Sequence, residues 1–181
     1  MLSTIAHYCQ LVTTANQHIN LISRKDINNL YAHHVLPSKL FIDLKRVQSG
    51  DNILDIGSGG GFPGMIIALL DSTIQVTLTD SIKKKTDFLQ LCVEKLNLKN
   101  VTVYHGRVES MPSEFKHKYD HVTARAVAPL ATLWRYAQPL LKPAGTLEAM
   151  KGTSDPIPTH LKHTVIPCPG YDNTVIVSVQ S

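Results

Sequence analysis

The sequence predicts an α/β fold, a mostly parallel, doubly wound sheet of seven strands with one strand antiparallel, preceded by a helical N-terminal extension. Three observations lead there. From residue 53 onward, short apolar runs alternate with segments of helical periodicity, and strands alternating with helices favour parallel pairing. The first apolar run, Ile53-Leu54-Asp55-Ile56, leads straight into Gly57-Ser58-Gly59-Gly60-Gly61-Phe62-Pro63-Gly64, a strand-to-helix turn so sharp that it needs positive φ and no Cβ in the way. The chain closes on two β-rich runs, 163–166 and 174–179, split by Pro167, Pro169 and Gly170. They read as a hairpin-like pair that supplies the antiparallel strand.

Residues 1–46 read as helices. Ile5, Tyr8, Val12, Ala15, Ile19 and Ile22 step by three or four, which is the narrow seam of one amphipathic helix made to lie on another surface. Asp26 is placed to N-cap a second helix carrying Ile27, Leu30, Tyr31 and His34 on one side. Pro37 interrupts that helix, and Leu40, Phe41 and Leu44 continue its apolar face. Gly50-Asp51 then marks the break before the first strand. Residues 1–46 thus form an extension packed on the core, and 47–181 the sheet-bearing domain.

The core then alternates. Strand 53–56 leads to a helix from Pro63 to about Leu70. Strand 74–79 leads to a helix capped by Ser81, with Phe88, Leu89, Cys92, Val93 and Leu96 at helical spacing. Strand 101–104 is followed by a turn through Arg107-Val108-Glu109. Strand 119–124 precedes Pro129 and a helix to about Gln138, and strand 146–150 ends at Lys151-Gly152.

Composition narrows the function. A chain of 181 residues, 43% hydrophobic and 18% charged, supports one well-buried α/β domain. No apolar run reaches membrane-spanning length. The stretch from Met1 to Ser23 holds no Lys, Arg, Asp or Glu, unlike a signal or transit peptide; Cys9, Cys92 and Cys168 are widely separated, with no C-x-x-C spacing, and are expected reduced and buried, and the expected compartment is the cytoplasm. A formal charge of +4 and a pI near 9.0 are compatible with a nucleic-acid partner, although the basic residues are dispersed. Nine histidines show no metal-ligand spacing, and the rings of His33 and His34 are not expected on one helix face. No metal and a monomer are expected.

In doubly wound sheets ligands sit beyond the carboxyl ends of the strands, a rule that gathers Gly57 to Phe62, Asp80, Val108, Glu109, Arg125 and Lys151 on one edge. Asp80 closes the second strand 25 residues after Asp55, a spacing that suits a carboxylate on a ribose; the same residue could instead cap the helix after it. Backbone N–H groups of Val108 and Glu109 could meet an adenine edge. Arg125 ends an apolar strand among small residues, where a cation is costly unless paired or used. Lys151 is a second candidate for positioning a substrate. His34 reads as a core or cap residue, and Lys83-Lys84-Lys85 as a solvated helix face. Together these describe a nucleoside cofactor. Gly59 to Gly64 formally satisfies the dinucleotide fingerprint, so a nicotinamide oxidoreductase stays in view. Against it, Asp55 lies where a pyrophosphate would be repelled; it would suit a cationic ligand, or hold the glycine loop by accepting backbone N–H bonds. Phe62-Pro63 also stand where small residues usually open the helix.

With these residues in hand, the chain resembles the RsmG (GidB) family of small-subunit ribosomal RNA methyltransferases over nearly its whole length. The resemblance rests on Asn20-Leu21-Ile22-Ser23, His34, Asp55 to Gly64, Asp80-Ser81 with the following lysines and Phe88-Leu89, Arg107-Val108-Glu109, Ala124-Arg125-Ala126 and Lys151-Gly152. It implies a Rossmann-like class I methyltransferase fold, S-adenosyl-L-methionine as cofactor, and N7 of a guanine in 16S rRNA or the small ribosomal subunit as target. It also implies that Gly57, Gly59, Gly61, Phe62, Val108, Glu109 and Arg125 bind the cofactor and Asp80 its ribose. Gly60 and Pro37 depart from the family pattern, and the proline-bearing segment 153–160 predicts a missing or shortened helix. Guanine N7 already offers a lone pair, so no catalytic base is expected. Another RNA target, or an RNA-binding module without catalysis, remains an alternative; the latter would leave the glycine loop and Asp80 without a purpose.

Overall fold

The computed structural model describes the backbone of residues 2–180 and the side chains of residues 4–180. Seven strands form one sheet in the order β3-β2-β1-β4-β5-β7-β6. They are β1 (Asn52–Ile56), β2 (Gln75–Asp80), β3 (Val101–His105), β4 (Tyr119–Arg125), β5 (Leu141–Gly152), β6 (His163–Pro167) and β7 (Thr174–Gln180). Neighbours from β3 through to β5 are parallel, and β7 runs antiparallel to both β5 and β6. The predicted doubly wound sheet with one antiparallel strand is therefore what forms. The order reverses between β1 and β4, where the glycine loop leaves the sheet.

Two apolar layers sandwich the sheet. On one face Ile53, Val76, Leu78, Met150 and Ile176 pack against helices α1 (Leu2–Ala15), α2 (Leu36–Asp43), α3 (Gly64–Leu70) and α4 (Lys83–Lys95). Tyr8 and Val12 of α1 are fully buried in this layer. On the other face Leu54, Ile56, Val122, Leu147 and Val177 are covered by α5 (Leu130–Ala137) and by loops. Each such aliphatic side chain contributes roughly 1.5–3 kcal/mol on burial. No helix lies between β5 and β6 among the described residues; residues 153–161 form turns, and Ile157 and Leu161 cover the sheet there instead. Arg46 ties the N-terminal residues to the sheet. Its guanidinium donates to both oxygens of fully buried Glu148 at 3.0 and 3.1 Å, and the Ser178 and Thr146 hydroxyls complete that carboxylate's partners.

Several boundaries differ from the sequence reading. Helix α1 stops at Ala15, short of Ile22, because Asn16 Oδ1 accepts the N–H groups of Leu21 and Ile22 at 2.9 and 3.0 Å and curls the chain. Asp26 caps nothing through its side chain; a single 3-10 turn, Ile27–Asn29, follows it. Pro37 does not interrupt the helix. A π turn, Tyr31–Val35, runs directly into α2, and the carbonyls that proline's missing N–H leaves open take donors from elsewhere in the chain. Ser81 does not cap α4, and no other side chain does; Asp80 Oδ1 accepts the N–H of Ile82, just before the helix, at 2.9 Å. Strand β5 starts at Leu141 rather than 146, since Leu141 pairs with Tyr119 before a register shift that Pro143 and Gly145 conceal in the sequence.

Candidate functional site

The carboxyl edge of the sheet carries the glycine loop. Gly57, Gly59 and Gly61 all adopt positive φ, at +66°, +55° and +85°. At Gly57 an added Cβ would also stand 2.7 Å from Val127 Cγ2, so both conformation and space demand glycine there. Asp55 holds the loop from beneath. It is fully buried, its Oδ2 accepts the Gly64 N–H at 3.2 Å, and its Oδ1 accepts the Thr123 hydroxyl at 2.8 Å. Burial pushes its carboxyl up to about 6 against these hydrogen bonds. Of the two readings of Asp55, the structure shows the second: it braces the loop and takes the first N–H of α3, rather than facing a ligand. Tyr8 braces the loop from the other side, its hydroxyl donating to Gly60 O.

Around the loop lie three adjoining clefts. The first, about 350 Å³, is lined by Gly57, Asp80, Lys85, Val108, Glu109 and Tyr136. The second, also about 350 Å³, is lined by Ser23, Asp26, His34, Gly59, Phe62 and Arg125. These two share Gly57, Lys85 and Ala126. The third, about 310 Å³, includes His33, Pro37, Arg125, Lys151, Tyr171 and Thr174, and shares Arg125 and Ala126 with the second. Thus Gly57, Gly59, Phe62, Asp80, Val108, Glu109, Arg125 and Lys151 all border this connected space. Gly61 does not line it: its site for a Cβ is taken up by Tyr8, Met65 and Leu89 of the core.

Each side chain is positioned by a specific contact. Asp80, nearly buried, accepts the Gly59 N–H on Oδ2 at 3.1 Å and the Ile82 N–H on Oδ1 at 2.9 Å, so it shapes the loop and the turn that leads into α4 at once. Lys85 Nζ stands 3.8 Å from the same oxygen. Val108 and Glu109 open a 3-10 turn, Val108–Ser110, whose first N–H groups have no partner within the turn. Phe62 is mostly core, its ring 5.9 Å from that of Tyr8 and 5.1 Å from that of His34. Lys151 Nζ donates to Ala128 O at 2.6 Å and so fixes the loop after β4.

Arg125 and His34 carry the unusual electrostatics. Pro37 has no N–H to give to either Ala32 O or His33 O. Arg125 Nη2 donates to His33 O at 2.7 Å, and Tyr171 Oη donates to Ala32 O at 2.8 Å. Burial holds the Arg125 guanidinium below its ordinary range, although it stays charged at neutral pH. Burial and then the nearby Arg125 charge push His34 down to about 4, so its ring is neutral at pH 7. Contrary to the sequence expectation, both histidine rings reach one group: Asp26 lies 3.0 Å from His33 Nδ1 and 3.6 Å from His34 Nε2. Among the described residues four buried side-chain polar atoms lack a hydrogen-bond partner. Three of them, Thr79 Oγ1, His34 Nε2 and Arg125 Nη1, belong to residues lining the first and second clefts, which marks this edge as built to receive polar groups.

Sequence reasoning passed over Lys85, Asp26, Ser23 and Tyr136. For Lys85 a signal was present, since it shares a helical face with Phe88, Leu89 and Cys92 and so points inward with them. The cysteines are free. Among the described residues no group of three metal-ligating side chains converges, and no helix is long and apolar enough to cross a membrane.

Comparison with known proteins follows the same lines. A ribosomal RNA small subunit methyltransferase G from Lactobacillus acidophilus is 36% identical over 149 residues, covering 80% of this chain and 62% of its own length. The protein of that description from Parabacteroides distasonis is 44% identical over 132 residues, covering 73% of this chain and 56% of its own. The chain thus spans about three-fifths of the length of these curated relatives. A crystal structure of a SAM-dependent methyltransferase from Aquifex aeolicus superposes with a TM-score of 0.61 at 18% identity, over 79% of this chain and 93% of that one, and shows a shared fold. The model of the family described as GidB, rRNA small subunit methyltransferase G, matches residues 1–180. A class I methyltransferase fold, a glycine loop braced by Asp55 and Asp80, and a match along the whole described chain place this protein in the small-subunit rRNA methyltransferase G family.

Proposed function

We propose that the protein transfers a methyl group from S-adenosyl-L-methionine to N7 of a guanine in 16S rRNA, acting on the RNA or on the small ribosomal subunit. The observation that carries this reading is the set of unpartnered polar atoms, Thr79 Oγ1, His34 Nε2 and Arg125 Nη1, arrayed beside the glycine loop and Asp80. These residues fit the cofactor. The first cleft offers a carboxylate for a ribose and the free N–H groups of Val108 and Glu109 for an adenine edge. Gly57 and Gly59 let the backbone approach closely in the middle. When bound, the cofactor supplies a methyl group on a sulfonium.

The third cleft suits the acceptor base. Arg125 lines both it and the cofactor cleft, Lys151 lines it with its Nζ held on Ala128 O, and the Arg125 guanidinium is anchored on His33 O. Guanine N7 presents a lone pair without losing a proton, so these residues need only orient the base and exclude water, and proximity can supply several orders of magnitude in rate. Residues 1–46 act in this reading as an extension of the 47–181 domain, contributing Ser23, Asp26 and His34 to the cleft. The excess of basic residues serves the RNA. The test is methyl transfer from labelled cofactor to isolated 16S rRNA and to small subunits, with the modified base mapped. Incorporation at guanine N7 supports the assignment; cofactor binding without transfer to either RNA substrate overturns it.

A further inference from the structure

We propose that Asp155 reads the acceptor base, its carboxylate accepting the N1–H and N2–H of guanine, so that it selects guanine over adenine and favours the methyl-transfer step. This rests on the proposed function above and adds what that reading leaves open, since the N7 lone pair is common to both purines and cannot by itself pick guanine. Selection has to come from O6 or from the N1 and N2 edge, which an unpaired, unstacked base exposes. Guanine offers two parallel donors there, whereas adenine offers a lone pair on N1. A carboxylate only accepts, so it fits the first and opposes the second.

The third cleft holds such a group. Its charged and titratable side chains are His33, Arg125, Lys151, Asp155 and Tyr171. Tyr171 Oη is committed to Ala32 O, His33 Nδ1 to Asp26, and Arg125 Nη2 to His33 O. Lys151 is held on Ala128 O at 2.6 Å, with its Nζ 3.9 Å from Asp155 Oδ2. Asp155 stands in the turn that leaves β5. Its N–H donates to Gly152 O at 3.0 Å, and its Oδ2 accepts the Gly152 N–H at 3.3 Å, which fixes where the carboxylate sits. Among the described residues its Oδ1 accepts no hydrogen bond, and its side chain is 47% exposed, so both oxygens keep lone pairs within reach of a base.

Methyl transfer strengthens the contact. N7 bonds to the methyl carbon as the carbon–sulfur bond breaks and its electron pair stays on sulfur; the base gains a positive charge and no proton moves. N1–H and N2–H become stronger donors as that charge develops, and their bonds to a carboxylate strengthen with it. An interaction that grows toward the transition state raises the rate and not binding alone. Arg125 and Lys151 are cations in the same cleft and work the other way, so the gain falls to Asp155, the one carboxylate lining it among the described residues.

The experiment uses 16S rRNA, isolated or assembled into small subunits, that carries guanosine or inosine at the mapped target position. Inosine keeps N7, O6 and N1–H and lacks the N2 amine. The wild-type chain, Asp155→Asn and Asp155→Ala are assayed for kcat/KM on both. The preference for guanosine is compared between proteins, so that the looser pairing of inosine cancels. Each variant is expected to reduce this preference about tenfold or more, with kcat on guanosine falling, while S-adenosylhomocysteine, the cofactor without its methyl group, still binds within about twofold of wild type. Asparagine keeps an acceptor for the Gly152 N–H and holds the turn if alanine does not. An unchanged preference, including one in which both substrates slow equally, makes Asp155 structural and overturns the inference. A wild-type protein that leaves guanosine N7 unmethylated overturns the proposed function itself, and this inference with it.

Discussion

Substituting Asp80 by asparagine separates the two duties this side chain carries. Its Oδ2 accepts the Gly59 N–H at 3.1 Å and its Oδ1 the Ile82 N–H at 2.9 Å. A carboxamide keeps one acceptor and turns an N–H₂ toward the other N–H. One backbone donor therefore loses its partner in a site where Asp80 is only 8% exposed. Stranding a buried donor costs about 1–3 kcal/mol, and hydrogen bonds to charged acceptors are worth about 1.5–3 kcal/mol. Little solvent is present to soften the loss. We expect destabilisation of about 2 kcal/mol, read as a fall of about 4–8 °C in melting temperature for a chain of this size. If Asp80 also holds the ribose, losing that charge-assisted contact weakens S-adenosylhomocysteine by roughly 10- to 100-fold in calorimetry below the transition. A lowered melting temperature with unchanged affinity would refute the ribose role and leave Asp80 as a staple for the loop and for the turn before α4.

Three further outcomes are expected. Gly57→Ala combines a φ of +66° with a Cβ 2.7 Å from Val127 Cγ2; it should lower stability by about 1–2 kcal/mol or more and weaken the cofactor analogue, and a variant that melts and binds like the parent would refute the loop geometry. Arg46→Ala strands the fully buried Glu148 carboxylate, which keeps only the Ser178 and Thr146 hydroxyls. A loss of about 3 kcal/mol in urea unfolding is expected, with unaltered cofactor-analogue affinity because Arg46 lines none of the clefts. Between pH 4 and 6, Asp55 and His34 should oppose each other. Asp55, raised to about 6, binds a proton in the native state that the unfolded chain has released, so its contribution is fully present below pH 4 and is lost as pH rises through 6. His34, lowered to about 4, binds fewer protons when native; its contribution is present above pH 6.5 and is lost as pH falls through 4. His34→Gln should therefore leave stability falling more steeply with rising pH across this window, and an unchanged pH profile in urea titrations would refute the shift.

What the sequence made legible was whatever local chemistry decides. The seven strands, the positive-φ glycines and the gathering of Asp80, Val108, Arg125 and Lys151 on one edge follow from apolar runs, from the absence of Cβ atoms and from the rule for parallel sheets. The misread features depend on side chains that act at a distance along the chain. Asn16 ends α1 by bonding two N–H groups five and six residues ahead, which overrides a helical seam that periodicity alone extends to Ile22. Asp55 stayed open between facing a ligand and holding the loop because its Thr123 partner meets it only once β1 and β4 pair. The fate of Pro37 hung on donors from two other parts of the chain. Lys85 was hidden inside a lysine run whose other members are exposed.

Consecutive carbonyls of the π turn receive donors from separate regions: Ala32 from Tyr171, His33 from Arg125 and His34 from Ser38. Swinging this segment aside would break the first two at once, at a combined cost of about 2–4 kcal/mol. An opened form would then make up only about one molecule in thirty to one in a thousand. The wall of the third cleft is thus a fixed mould rather than a door. Under the proposed function, the adjustment needed for a base to reach Arg125 falls on the RNA, which must turn the guanine out of its stack toward a protein surface that hardly yields. Substrates whose target base is already loosely held should react fastest, and tightening that base's surroundings should slow methylation without touching the protein.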